Sequence, residues 1–141
     1  MQYLEKYNKM KFAIQECHKV DEIKLIRDKA EAYTIIQAKE SPEYIRMAEE
    51  IKLRAERRAG ELLKEQVRKG GETDKKIRYE GHILSPKLSD MNITNLQSSI
   101  WQKIANLPEE KFENYIQASK EITTSGAVRK EKKLEGELKL N

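Results

Sequence analysis

The sequence predicts an all-α chain: a long N-terminal antiparallel helical hairpin of coiled-coil character, then a small C-terminal helix-turn-helix-like domain. Three observations lead there. Apolar residues recur in steps of three and four from Leu4 to Leu62, the spacing of helical faces. Helix starts are written at Ser41-Pro42-Glu43 and at Pro108-Glu109-Glu110, where proline suits the first turn and acids complement the helix dipole. Charged residues make up 37% of the 141 positions and aromatic ones 6%, a balance suited to long, solvent-washed helices and an elongated shape.

The first helix runs from Gln2 to about Cys17 on the face Leu4, Tyr7, Met10, Ile14 and Cys17, and a break is expected near His18 and Lys19. The second opens with Asp21 and Glu22, follows the stripe Ile23, Ile26, Ala30, Tyr33 and Ile36, and should reach Lys39 or Glu40. The third is capped by Ser41 and should stop at Gly70-Gly71 with Arg68 and Lys69 in its last turn. Its stripe, Ala48, Ile51, Ala55, Ala59 and Leu62, is rich in alanine, which implies close approach of a neighbouring helix. Helices two and three then form the hairpin, and their remaining apolar surface calls for the first helix or a second copy of the chain, so residues 1–69 are the expected dimerisation region.

Residues 70–87 have three glycines, a proline and no sustained period, and read as a linker in which Ile77, Tyr79, Ile83 and Leu84 could dock as an extended piece. Residues 88–122 form the helix-turn-helix-like unit. Asn92 stands at its turn, Ile93 follows, Thr94 caps the next helix, and Trp101 lies seven residues beyond the cap. Leu88, Met91, Ile93, Ile104 and Leu107 should be core, with Trp101 as the anchor, and Phe112, Tyr115 and Ile116 the buried face of the helix after Pro108. Thr123, Thr124 and Ser125 are cap candidates for a short basic helix or tail over 123–141 whose end frays.

This arrangement would place Thr94, Asn95, Gln97, Ser98, Gln102 and Lys103 where a second helix enters a DNA groove. Asn and Gln pair with adenine edges, and Ser contacts phosphate or base. Charge opposes the idea locally: residues 88–122 carry net −2 in a chain of net +4, so phosphate attraction must come from elsewhere. Arg129 and Lys130, in the run "RKEKK", are the candidates. The run of Lys52, Arg54, Arg57 and Arg58 reads instead as a solvated face with pairs four apart, Glu50 with Arg54 and Arg57 with Glu61.

Little points to catalysis. There is no glycine-rich phosphate loop and no nucleophile–base set, and Glu49, Glu50 and Glu56 are offset by nearby arginines, so no catalytic residue, metal or cofactor is expected. Cys17 and His18, adjacent in sequence, point about 100° apart on a helix, and a single cysteine excludes an intramolecular disulfide. No run reaches the roughly 18 apolar residues of a membrane span, and the polar N-terminus lacks a signal peptide, so a cytoplasmic protein is expected.

The passages "VDEIKLIRDKAEAYTIIQAKE", "AEEIKLRAERRAGELLKE" and "NITNLQSSIWQKIANLPEEKFENYIQASKEITTSGAVR" resemble small helical proteins of bacteriophages, prophages and plasmids, and together cover most of the chain. In that family such pieces are sometimes joined to DNA adenine methyltransferase or ParB-like segments. The resemblance implies a nucleic-acid setting in a bacterial host. The chain departs from it at Ile100, where relatives commonly have arginine in a "QSSRWQ"-like string, and at Asn92, where they often have glycine. The expectation is a non-catalytic DNA-associated protein acting as a dimer. The alternative is a protein-interaction factor, such as a phage inhibitor of a host defence system or an assembly adaptor, docking through an exposed Ile100.

Overall fold

Six helices, α1(Gln2–Glu16), α2(Val20–Ile36), α3(Pro42–Tyr79), α4(Asn95–Ala105), α5(Glu109–Ala118) and α6(Thr124–Leu140), account for nearly all described residues, with no strand among them. The computed structural model describes the backbone of residues 2–36, 42–79, 88, 91–119 and 121–140, and the side chains of all these except 2–3, 34–36, 66–79 and 138–140. The cap expected at Ser41, the end of the second helix at Lys39 or Glu40, and Ile83 and Leu84 lie outside the described residues.

The break after α1 falls at residues 17–19 as the spacing predicts, and Cys17, Val20 and Ile23 turn inward on either side of it. Contacts then run in opposite order along α2 and α3: Arg58 reaches the Cys17 carbonyl, Arg27 meets Glu56, and Ala30 and Tyr33 lie by Tyr44 and Ala48. The two helices are therefore antiparallel. All five residues of the α3 stripe, Ala48, Ile51, Ala55, Ala59 and Leu62, are buried.

One difference from the sequence reading concerns length. α3 continues through Gly70 and Gly71 to Tyr79, so ten residues expected as linker, Ile77 and Tyr79 included, are helical. Each glycine costs about 1 kcal/mol relative to alanine, but a helix already nucleated extends without a new nucleus, and 70–79 contain no proline.

A second difference concerns what α3 supports. Ala48 lies by Ala30 of α2, whereas Gly60 faces α4: a side chain on Gly60 would run into the Trp101 carbonyl and come within 3.0 Å of the Gln102 nitrogen. Only glycine permits that backbone approach. One core cluster consequently runs from Ile14, Val20 and Ile23 across Ala55 and Ala59 to Trp101, Ile104, Phe112, Ile116 and Ala127. The N-terminal and C-terminal helices share α3 as a common wall.

Candidate nucleic-acid interface

The turn before α4 is built as its residue types demand. Asn92 has φ of 57°, the only positive value outside glycine among the described residues, and the Ile93 nitrogen donates to the Leu88 carbonyl at 2.9 Å. Asparagine accepts this left-handed backbone more readily than most side chains. Thr94 caps α4: its Oγ1 accepts from the Gln97 nitrogen at 3.0 Å, and Gln97 Oε1 accepts from the Thr94 nitrogen at 3.1 Å. This reciprocal capping box satisfies two otherwise unpaired amides. Of the residues before the turn, 80–87, expected as linker, and Ser89 and Asp90 of the helix-turn-helix-like unit lie outside the described residues.

Trp101 is 1% exposed, with Arg27 stacked 5.5 Å from its ring centre. Burying an indole removes roughly 200 Å² from water, about 5 kcal/mol of gross stabilisation, which explains it fully as an anchor. Met91, Ile93, Ile104 and Leu107 are buried beside it and Leu88 is half-buried against the same core, as the pattern predicts.

The expected base-reading set fares differently. Ser98 is buried, and its Oγ accepts from Gln102 Nε2 at 2.9 Å. Ser98 is thus corrected from a DNA contact to an internal acceptor, because the turn of α4 that carries Trp101 inward carries Ser98 with it. The Oγ1 of Thr94 and the Oε1 of Gln97 are held in the cap. Asn95 and Lys103 do stand exposed on the outer face of α4, with Ser99 between them. Ile100, expected to be exposed, is half-buried against the core; the apolar residue that projects is Leu96, 69% exposed. Sequence spacing was silent on Leu96, since it sits in the first turn among polar residues.

The basic run on α3 also needs correction. Its pairs four apart exist, Arg54 with Glu50 at 3.0 Å and Arg57 with Glu61 at 3.1 Å, but the face is not solvated. Glu56 is 1% exposed; it accepts from Arg27 Nε at 2.9 Å and from Thr124 Oγ1 at 2.6 Å, joining α2, α3 and α6. Arg54 grips Glu113 of α5 through two parallel bonds of 2.6 and 2.9 Å. Burial works against the Arg54 charge, yet Glu113 and Glu50 more than offset it, so its guanidinium titrates above the ordinary arginine range. The Arg54 hydrogen bond in turn holds the Glu113 carboxyl below its usual value, against the effect of burial.

Three arginines of α3 also close the carbonyl ends of other helices. Arg58 Nε donates to the Cys17 carbonyl after α1 at 3.0 Å, Arg57 to the Leu107 carbonyl after α4 at 3.0 Å, and Arg46 to Ile116 and Ser119 at the end of α5 at 2.5 and 3.3 Å. A planar fork of donors suits this task better than an ammonium, and cations belong at helix C-termini. Arg54 and Arg57 lie 5.9 and 4.9 Å from the Phe112 ring centre. These guanidinia are engaged within the fold.

On α6 the geometry is the reverse. Thr123 provides the cap, its Oγ1 accepting from the Gly126 nitrogen at 2.9 Å, and the helix is 17 residues, longer than the short one expected. In "RKEKK" the one acid, Glu131, is buried, whereas Arg129, Lys130, Lys132 and Lys133 are exposed. Arg129, Lys130 and Lys133 border an open cleft of about 460 Å³, and Lys130 and Lys133 share a second of about 210 Å³ with Lys111 of α5. Glu121 and Glu137 are the acids at these clefts. Among the described residues no group of histidine, cysteine, aspartate or glutamate is arranged to hold a metal ion, and no helix is long and apolar enough to cross a membrane.

No protein-family model, no curated protein and no solved structure matches the chain.

Proposed function

We propose that this chain is a non-catalytic DNA-associated protein of the phage or mobile-element type, working in the cytoplasm of a bacterial host as a dimer. In this reading α2 and α3 are a coiled-coil-like hairpin and residues 88–122 a helix-turn-helix-like unit. The observation that carries the proposal is the surface of α6, where Glu131 is buried while Arg129, Lys130, Lys132 and Lys133 are exposed, Lys130 and Lys133 beside Lys111. Such a cluster attracts phosphate without reading sequence. Asn95 and Lys103 on α4 are the groups left to touch base edges. The neutralisation of Glu113 by Arg54 weakens the local acidity that opposed a polyanion. Dimerisation is supported by Phe12 and Leu25, 64% and 60% exposed on α1 and α2.

A labelled DNA duplex titrated at several salt concentrations tests this. Binding should weaken steeply with salt, and Arg129→Glu combined with Lys130→Glu should weaken it about tenfold or more for every sequence, with unfolding free energy changed by less than about 0.5 kcal/mol. A folded chain that binds no duplex at low salt would sink the proposal.

Leu96 favours a second reading, a protein-interaction factor such as an inhibitor of a host defence system or an assembly adaptor. A large apolar side chain 69% exposed beside half-buried Ile100 is a natural anchor for a partner. Co-purification with one defined protein after nuclease treatment, lost in Leu96→Arg, would favour it over DNA.

A further inference from the structure

α1 and α2 are joined by the turn at residues 17–19, and each packs chiefly on α3, so they part from one another away from that turn. Between them and the start of α3 lies an open cleft of about 240 Å³. Tyr7, Met10, Tyr33, Tyr44, Met47 and Ile51 are among the residues that line it. Lys6 on α1 and Lys29 on α2, both exposed, are the charged groups that line it, and no carboxylate does so among the described residues. The Tyr7 hydroxyl is donated to buried Glu50; burial and that carboxylate push the phenol up to about 12. That donor is therefore engaged away from the cleft.

We propose that this cleft binds a small amphipathic anion, a carboxylate on an apolar tail of about eight carbons. Size supports it: an apolar protein cavity of about 150 Å³ accommodates benzene, so one of 240 Å³ accommodates, in proportion, about ten heavy atoms. The walls suit a flexible tail, because methionine adapts its shape and tyrosine offers an apolar face. Charge supports it too. Two lysines, with no opposing acid among the described residues of the lining, favour an anionic head over a neutral or cationic one. The cleft lies apart from α6 and its basic cluster, so this site stands or falls independently of DNA binding.

The test uses the full chain with carbon-13 methyl-labelled methionine, titrated with octanoate, octanol and octylammonium and followed by NMR. Octanoate should shift the Met10 and Met47 methyl signals and leave that of Met91, which is buried at the turn before α4. It should bind roughly tenfold more tightly than octanol, and Lys6→Glu combined with Lys29→Glu should abolish that advantage while the Met91 signal stays in place. Three results overturn the proposal. One is no shift of Met10 and Met47 at millimolar octanoate. Another is equal or tighter binding of octanol or octylammonium. The third is a shift of the same two methyls on changing protein concentration without any probe, which would mean that a second copy of the chain fills the cleft.

Discussion

Residues 52–58 and 129–133 are both basic runs interrupted by a single glutamate, and the fold treats them in opposite ways. On α3 the glutamate, Glu56, is buried and draws in Arg27 and Thr124, while Arg54, Arg57 and Arg58 reach other helices. On α6 the glutamate, Glu131, is buried as well, yet the bases around it stay in water. The neighbours decide. Leu53, Ala55, Ala59 and Gly60 put α3 under helices on several sides, so its long arginines end against carbonyls and carboxylates. On α6, Lys130, Lys132 and Lys133 meet solvent. A basic stretch in sequence becomes an exposed basic surface only where the fold does not draw its cations inward.

The largest expected effect comes from removing the buried acid of the first run. Glu56→Ala takes a buried carboxylate away from both Arg27 Nε and the Thr124 hydroxyl, leaving Arg27, only 14% exposed, to Asp28 and Glu31, and should cost about 4 kcal/mol in chemical denaturation. A loss below about 1 kcal/mol would mean that Glu56 is as solvated as a surface residue, and the contrast between the two runs would collapse. Gly60→Ala follows, at about 3 kcal/mol, because the new methyl meets the α4 backbone, which has no flexible end to move aside.

A smaller effect is expected from acid. The folded Glu113 carboxyl titrates below its unfolded value of about 4.3, so its contribution is complete above that pH and is lost as pH falls through the folded value. Asp28 behaves alike: burial raises its pKa, but hydrogen bonds from Lys24 and Arg27 more than offset that. Glu49 has the opposite sign, raised by burial and by Glu121, and returns some stability on protonation. Stability measured from pH 7 downward should therefore decline below about pH 4.3, and less steeply in Glu113→Gln. An unchanged slope in that variant would show that the Arg54 grip contributes nothing across α3 and α5. The smallest effect is Gly136→Ala on α6. An added methyl there meets nothing within 4 Å, so the change should stabilise by about 0.5–1 kcal/mol, in contrast to Gly60.

Local structure was largely legible in the sequence. Asn92 in a left-handed turn, Thr94 as cap, Trp101 as anchor and the alanine stripe of α3 all follow from short-range rules, since each concerns residues within two helical turns of one another. The end of α3 was not legible, because glycine pairs weaken a helix without forbidding it. The inward turn of Ser98 and the projection of Leu96 depended on where α3 and α6 press on α4. Spacing identifies one face of a helix but not how wide that face will be.

By itself the sequence determined the helices, their caps and the residues of their buried stripes, because those depend on backbone sterics and on a period of 3.6. Which cations are engaged within the fold and which stand exposed was decided only by tertiary structure. Arg54 and Glu113 are 59 positions apart, and Glu56 and Thr124 are 68 apart. No local rule brings such partners together; that takes the shared wall of α3, where Gly60 lets α4 come close enough for the arginines to reach across.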